Sequence, residues 1–256
     1  MEEIEWTPFY FIPKPEKGTR WAIGDIHGCP QTLRFLVEEV IKLSKEDQLF
    51  LLGDYIDRGP DSGSVIDLIL AWQEAHYQIF PLRGNHEDLL LASSQEYTPR
   101  LHKGLLRLQK CHNILDEQDM IRPHYLDFIR KLPYYYELDN FFLVHGGFDF
   151  KKEKPFEDVK SMLWLREFEP DLAQTQGKII IRGHVPQPLP VIEASIDQKS
   201  PIITLDNGCV YHYRKAKYLQ KYETMGNLLA LNLDTWELRK TPNIDLLSKH
   251  TPEFTD

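Results

Sequence analysis

Five short stretches hold most of the residues suited to metal and phosphate chemistry. "GDIHG" contributes Asp25 and His27, and "GDYIDRG" contributes Asp54, Asp57 and Arg58. "RGNHE" adds Asn85, His86 and Glu87, "VHGG" adds His145, and "RGHVP" adds His184. Imidazole and carboxylate together suit Mn, Fe, Zn or Co better than Ca or Mg, and a set without cysteine argues against a thiolate zinc site. A carboxylate can bridge two divalent cations, and a pair about 3.5–4 Å apart can hold a water and a phosphoryl oxygen. Glycines flank nearly every one of these residues, as a backbone running close to a metal centre requires. Singly, each stretch reads as a polar turn. Five in succession, each after a short apolar run, are hard to explain by turn chemistry.

The elements that would carry these stretches are legible in the hydrophobic pattern. Trp21–Ile23 form an apolar run that stops at Gly24-Asp25, which predicts a strand ending in a loop. Leu33, Leu36, Val37, Val40 and Ile41 then recur at helical spacing behind Pro30, a residue suited to a helix start. "QLFLLGD", the helical "GSVIDLILAWQEAH" with Asp61 or Ser62 as its cap, and "YQIFPLRGN" repeat the unit. Three strand–loop–helix units in a row predict an α/β sheet with parallel crossovers, whose loops converge on a crevice at the strands' carboxyl ends. Residues 88 to about 138 look different: "EDLLLASSQ", "RLHKGLLRLQKCHNIL" and "RPHYLDFIRKLP" predict a helical insertion. "YYYELDNFFLV" reads as a hairpin or two adjacent strands, "KIIIR" and "PIITL" as strands, and "NLLALNLDTWELRK" as a C-terminal hairpin, so a second sheet packed on the first is expected. No Pro/Gly/Ser linker divides the 256 residues, which reads as one domain over 1–256.

The formal net charge of −9 disfavours a general nucleic-acid or membrane-surface binder. Cys29, Cys111 and Cys209 form no CxxC pair and no disulfide framework, which fits a reducing compartment; Cys29 reads as a packing residue. With no cationic start followed by an apolar run, and no span long enough for a bilayer, a cytoplasmic location is the expectation.

The ordered set "GDIHG…GDYIDRG…RGNHE…HGG…GHVP" resembles the phosphoprotein phosphatase branch of the calcineurin-like metallophosphoesterases, above all its bacterial and bacteriophage Ser/Thr phosphatases. A looser similarity extends to "LDNGCV" around Asp206, so most of the chain is covered. The resemblance implies a β-sandwich flanked by helices, with two divalent metals, Mn first among them. It makes Asp25 and His27 ligands of one metal, Asp54 the bridge, and Asn85, His145 and His184 ligands of the other. It implies in-line attack by a metal-bridging hydroxide, with Arg58 clamping phosphate oxygens and Asn85 beside them. His86 becomes the general acid, oriented and charged by Asp57. Arg166, in "LWLRE", is carried over as a second phosphate-binding arginine, and Glu87 as a support behind the ligands.

The activity this resemblance puts first is hydrolysis of phosphoserine and phosphothreonine, with phosphotyrosine as an extension. Symmetrical cleavage of dinucleoside polyphosphates is the alternative on the same metals, although "DRG" with Asp57, and "GNHE", side with the protein phosphatases. A non-catalytic metal-binding scaffold is a third reading, set back because no ligand or acid has been lost. A nuclease or cyclic phosphodiesterase is more distant. The expected partner is a phosphoprotein or a small phosphorylated molecule, with no nucleic acid or membrane; the oligomeric state is not legible.

Overall fold

A computed structural model describes residues 9–96, 111–118, 120–211 and 224–245. Two five-stranded sheets stack face to face. The first half of the chain builds one with β2 (Arg20–Ile23), β3 (Gln48–Leu51) and β4 (Gln78–Pro81), all parallel. The hairpin β9 (Asn227–Asn232) and β10 (Leu238–Pro242) extends it, β9 running antiparallel to β2. The second sheet runs β1 (Phe9–Phe11), β5 (Tyr135–Glu137), β6 (Phe141–Val144), β7 (Ile179–Arg182) and β8 (Ile202–Thr204). In it β5–β6 is an antiparallel hairpin, while β6, β7 and β8 are parallel.

Alternation along each strand divides its side chains between two layers. Ala22, Phe50, Leu143, Ile181, Ile203 and Leu231 fill the space between the sheets. Their neighbours Trp21, Ile23, Leu49 and Leu51 face outward onto helices α1 (Pro30–Phe35) and α2 (Ser62–Glu74). The outer face of the second sheet packs Tyr135, Phe142, Val144 and Ile180 against α5 (Val159–Trp164). Strands covered on both faces read as unbroken apolar runs, which is why "LFLL" and "IIIR" look alike in sequence.

The helix expected over 30–41 begins as a proline-started α1 but continues at Leu36–Val40 as a π-helical turn. Asp61 is the N-cap of α2, its carboxylate accepting from the Ser64 amide at 2.9 Å. The stretch 88–138 is helical only in part. Helix α3 (Asn85–Glu96) starts inside the "GNHE" stretch, a single 3-10 turn covers His112–Ile114, and α4 (Pro123–Lys131) runs into strand β5. Residues 97–110, the expected helical "RLHKGLLRLQK", lie outside the described residues. Helix α6 (Leu189–Asp197) joins β7 to β8. Among the described residues no helix is long and apolar enough to cross a membrane.

Candidate metal centre

Parallel strands share an end, so the loops after β2, β3 and β4 open at one edge of their sheet, and those after β6, β7 and β8 at one edge of theirs. The two edges meet. The His184 amide, beyond β7, donates to Asp25, beyond β2, at 3.0 and 3.2 Å. A Cβ on Gly183 would run into the Asp25 carboxylate, and one on Gly84 into the Asp54 carboxylate, so glycine lets these backbones approach. Five of the expected site residues hold left-handed backbone: His27 (φ 48°), Asp54 (53°), Asp57 (70°), Arg58 (66°) and His184 (70°).

Around Asp54 the donors converge. His145 Nε2 lies 3.4 Å from one carboxylate oxygen; His27 Nε2 and His86 Nε2 lie 3.6 and 3.9 Å from the other. Asp25 lies 3.9 Å from His27 Nε2. The Asn85 side-chain oxygen is 2.9 Å from both His145 Nε2 and His184 Nδ1. Each imidazole is held by a backbone carbonyl on its far nitrogen: His27 by Ile56, His145 by Leu52 and His184 by Trp164. That fixes which nitrogen faces inward, as second partners of metal-binding histidines do. The ligand-type atoms of Asp54, His145 and His184 lie within 4.8 Å of one another, and so do those of His27, Asp54 and His86.

Burial lowers His27 and His184 to about 3 and also lowers His145, so all three present neutral rings. Neutral imidazole is the form that binds metal. Burial and then the carboxylates of Asp206 and Asp54 push Asp25 well up, whereas Asp54 is driven down despite its burial by His145, His86 and His27. Buried carboxylates this close repel unless a cation sits among them. A soft-edged N/O donor set, neutral imidazoles and crowded carboxylates together fit a pair of divalent cations.

His86 is set apart from the other imidazoles. Its Nδ1 lies 2.5 Å from the buried Asp57 carboxylate. Burial alone would lower its pKa, but Asp54 and Asp57 outweigh it and the pKa is raised. Arg58 is exposed, and its guanidinium reaches His27 Nε2 at 2.6 Å and His86 Nε2 at 2.9 Å. Arg166 lies in the loop after α5, exposed and close enough for its charge to act on His184 and Asp206.

Three further residues complete the arrangement, of which Glu87 was expected as a support. Asp206, at the end of β8, is buried and pushed up to about 7 by burial and Asp54, despite accepting the Gly208 amide. Its signal was the apolar run "PIITL" stopping at "DNG", the same pattern that marks the other loops. Glu87 sits directly beneath the loops: one oxygen accepts from the Tyr55 amide at 2.8 Å, the other from Asp54 and Gly84 at 2.9 Å. Arg182 is buried, and its guanidinium takes the carbonyls of Gly146, Leu165 and Arg166 at 2.9, 3.2 and 2.7 Å. Nothing local in "IIIRG" distinguishes it from an edge arginine.

The sequence profile of the calcineurin-like phosphoesterases matches residues 19–251. A symmetrical bis(5'-nucleosyl)-tetraphosphatase of Nitrosospira multiformis is 32% identical over 127 residues, 50% of this chain and 42% of the relative. Serine/threonine-protein phosphatase 1 of Salmonella typhimurium is 42% identical over 79 residues, 29% of this chain and 34% of the relative. The chain thus matches less than half the length of these relatives. A solved structure provisionally described as a diadenosine tetraphosphatase superposes with a TM-score of 0.63 at 19% identity, covering 93% of this chain and 99% of that one. At that identity the likeness concerns the fold.

Proposed function

Because the chain belongs to the calcineurin-like phosphoesterase family, we propose that it is a dinuclear-metal hydrolase whose substrate is a dinucleoside polyphosphate. The metallophosphoesterase class follows from the family. The substrate rests on one observation: the 127-residue similarity to the symmetrical tetraphosphatase. The order of the two substrate readings taken from the motifs alone is thereby reversed.

The proposed metal holders are Asp25, His27, Asp54, Asn85, His145 and His184, and Mn is the metal proposed. Bound there, two such cations would supply Lewis acidity toward a phosphoryl oxygen and acidify a water. The remaining steps fall to side chains. Arg58 and Arg166 neutralise phosphoryl oxygens, the planar fork of a guanidinium offering two parallel donors. His86 holds a proton at Nε2 and passes it to the departing oxygen, while Asp57 keeps Nδ1 protonated and the ring charged until that moment. Glu87, pushed up to about 7 by burial and Asp54, accepts the amides of Asp54, Tyr55 and Gly84 and supports the loops. We read residues 1–256 as one catalytic domain.

A specific observation favours phosphoserine or phosphothreonine as the second reading. The Asp57–His86 pair is the feature that the motifs associate with protein phosphatases, and the Salmonella phosphatase adds 79 residues of similarity. The test is a side-by-side assay of the Mn-loaded protein on diadenosine tetraphosphate and on phosphoserine and phosphotyrosine peptides. The proposal expects the highest kcat/KM on the dinucleotide with ADP as product; a peptide hydrolysed more efficiently would replace it with the second reading.

A further inference from the structure

Trp164 is a large aromatic residue left 40% exposed at the rim of the metal centre. Its indole meets the His184 ring edge-to-face with centroids 6.4 Å apart. It ends α5, and the next residue, Leu165, is extended (φ −72°, ψ 122°). Trp164 and Arg166 thus stand on either side of this one residue, both exposed.

The backbone beneath them is fastened at three consecutive carbonyls. Trp164 O lies 3.3 Å from His184 Nε2, and Leu165 O and Arg166 O accept from Arg182 at 3.2 and 2.7 Å. The Arg182 guanidinium also lies over the Phe168 ring, 5.3 Å from its centroid. A buried arginine on β7 therefore holds a short strap whose outer side chains are one indole and one guanidinium.

We infer that the strap 164–166 is a nucleotide subsite, in which Arg166 takes a phosphate and Trp164 offers its face to the purine one ribose away. The inference rests on the dinucleotide reading and names the part of the substrate that reading leaves unplaced. An exposed indole beside a phosphate-directed guanidinium offers a π-face on which a base can stack, and stacking is tolerant of which base is presented. Arg182 is the positioning residue: it touches no substrate, but sets where both side chains stand.

The test compares AMP with ribose 5-phosphate, which has the same phosphate and sugar but no base, by titration calorimetry on metal-loaded His86→Asn protein so that neither ligand turns over. AMP is expected to bind roughly five- to hundredfold more tightly than ribose 5-phosphate. Trp164→Ala should bring that ratio near one and Trp164→Phe should keep most of it. Using the ratio cancels changes in phosphate affinity, which a merely structural role would alter for both ligands alike. A starting ratio near one, or a ratio that survives Trp164→Ala, overturns the inference. If the ratio behaves as expected and diadenosine tetraphosphate is not cleaved, the subsite stands and the dinucleotide reading falls. Cleavage with a ratio near one gives the reverse.

Discussion

Replacing Asp57 by Asn isolates the proton-transfer step from the metals. The carboxylate is buried and lies within hydrogen-bond reach of His86 Nδ1, at 2.5 Å. Asparagine has the same shape and tolerates the left-handed φ of 70° at this position, so the loop should keep its path. What changes is the stabilisation of a protonated His86 by a negative neighbour. A hydrogen bond to a charged group contributes about 1.5–3 kcal/mol. Lost only from the protonated ring, that corresponds to roughly ten- to 150-fold in turnover. This sits below the roughly 10²–10⁴-fold expected for removing the acid itself with His86→Asn. The assay is kcat on phenyl phosphate and 4-nitrophenyl phosphate, with bound metal measured by elemental analysis. Nitrophenolate leaves readily without a proton and phenolate does not, so the full loss should appear on phenyl phosphate and only a few-fold loss on the nitrophenyl ester. Equal losses on both esters, or departure of metal from the variant, would refute the assignment of Asp57 and His86 to acid catalysis.

Glu87→Gln should destabilise the fold by about 1–3 kcal/mol, read by denaturant titration, because an amide turned either way presents donors to backbone amides that now meet an acceptor. Arg58→Lys should raise KM for phosphoryl substrates by roughly tenfold or more while leaving bound metal unchanged, since lysine keeps the charge and loses the two-pronged donor; steady-state kinetics with metal analysis checks it. Asp234 concerns stability away from the site. Burial alone would raise its pKa, but the bonds from Arg20 and Lys14 lower it overall. A carboxyl depressed in the folded state stabilises above its unfolded pKa of about 3.9, and that contribution is lost as pH falls through the folded value. Asp234→Asn should therefore destabilise the fold at pH 7, by no more than about 1 kcal/mol given solvent screening near the surface, the two unfolding curves converging below about pH 4.

The positions of the chemistry were legible because parallel strands place their loops at one end whatever the partner order. A run such as "QLFLLGD" thus announces both a strand and the polar residues at its tip. The assembly of those tips was not legible. Nothing near Asp25 in sequence indicates that the His184 amide binds its carboxylate 159 positions away. Arg182 was missed for the same reason, since its meaning lies in three carbonyls on two other loops. Asp206 was visible as a pattern, yet a lone carboxylate acquires a role only when burial and Asp54 act on it. The π-helical turn at Leu36–Val40 departs from a helix whose apolar spacing looked regular, and its neighbour β10 is remote in sequence, so local periodicity carried no sign of it.

The left-handed backbone at His27, Asp54, Asp57, Arg58 and His184 sets a limit on how this protein can be improved. Each such residue costs on the order of 1–2 kcal/mol, so together they approach the net stability of an ordinary domain. Glycine at the exposed Arg58 would relax one of them and raise the melting temperature while removing the guanidinium proposed to bind phosphate. Selection for thermostability alone would thus erode the centre from its loops inward. Selection for turnover would hold these five positions in conformations the rest of the chain must compensate for.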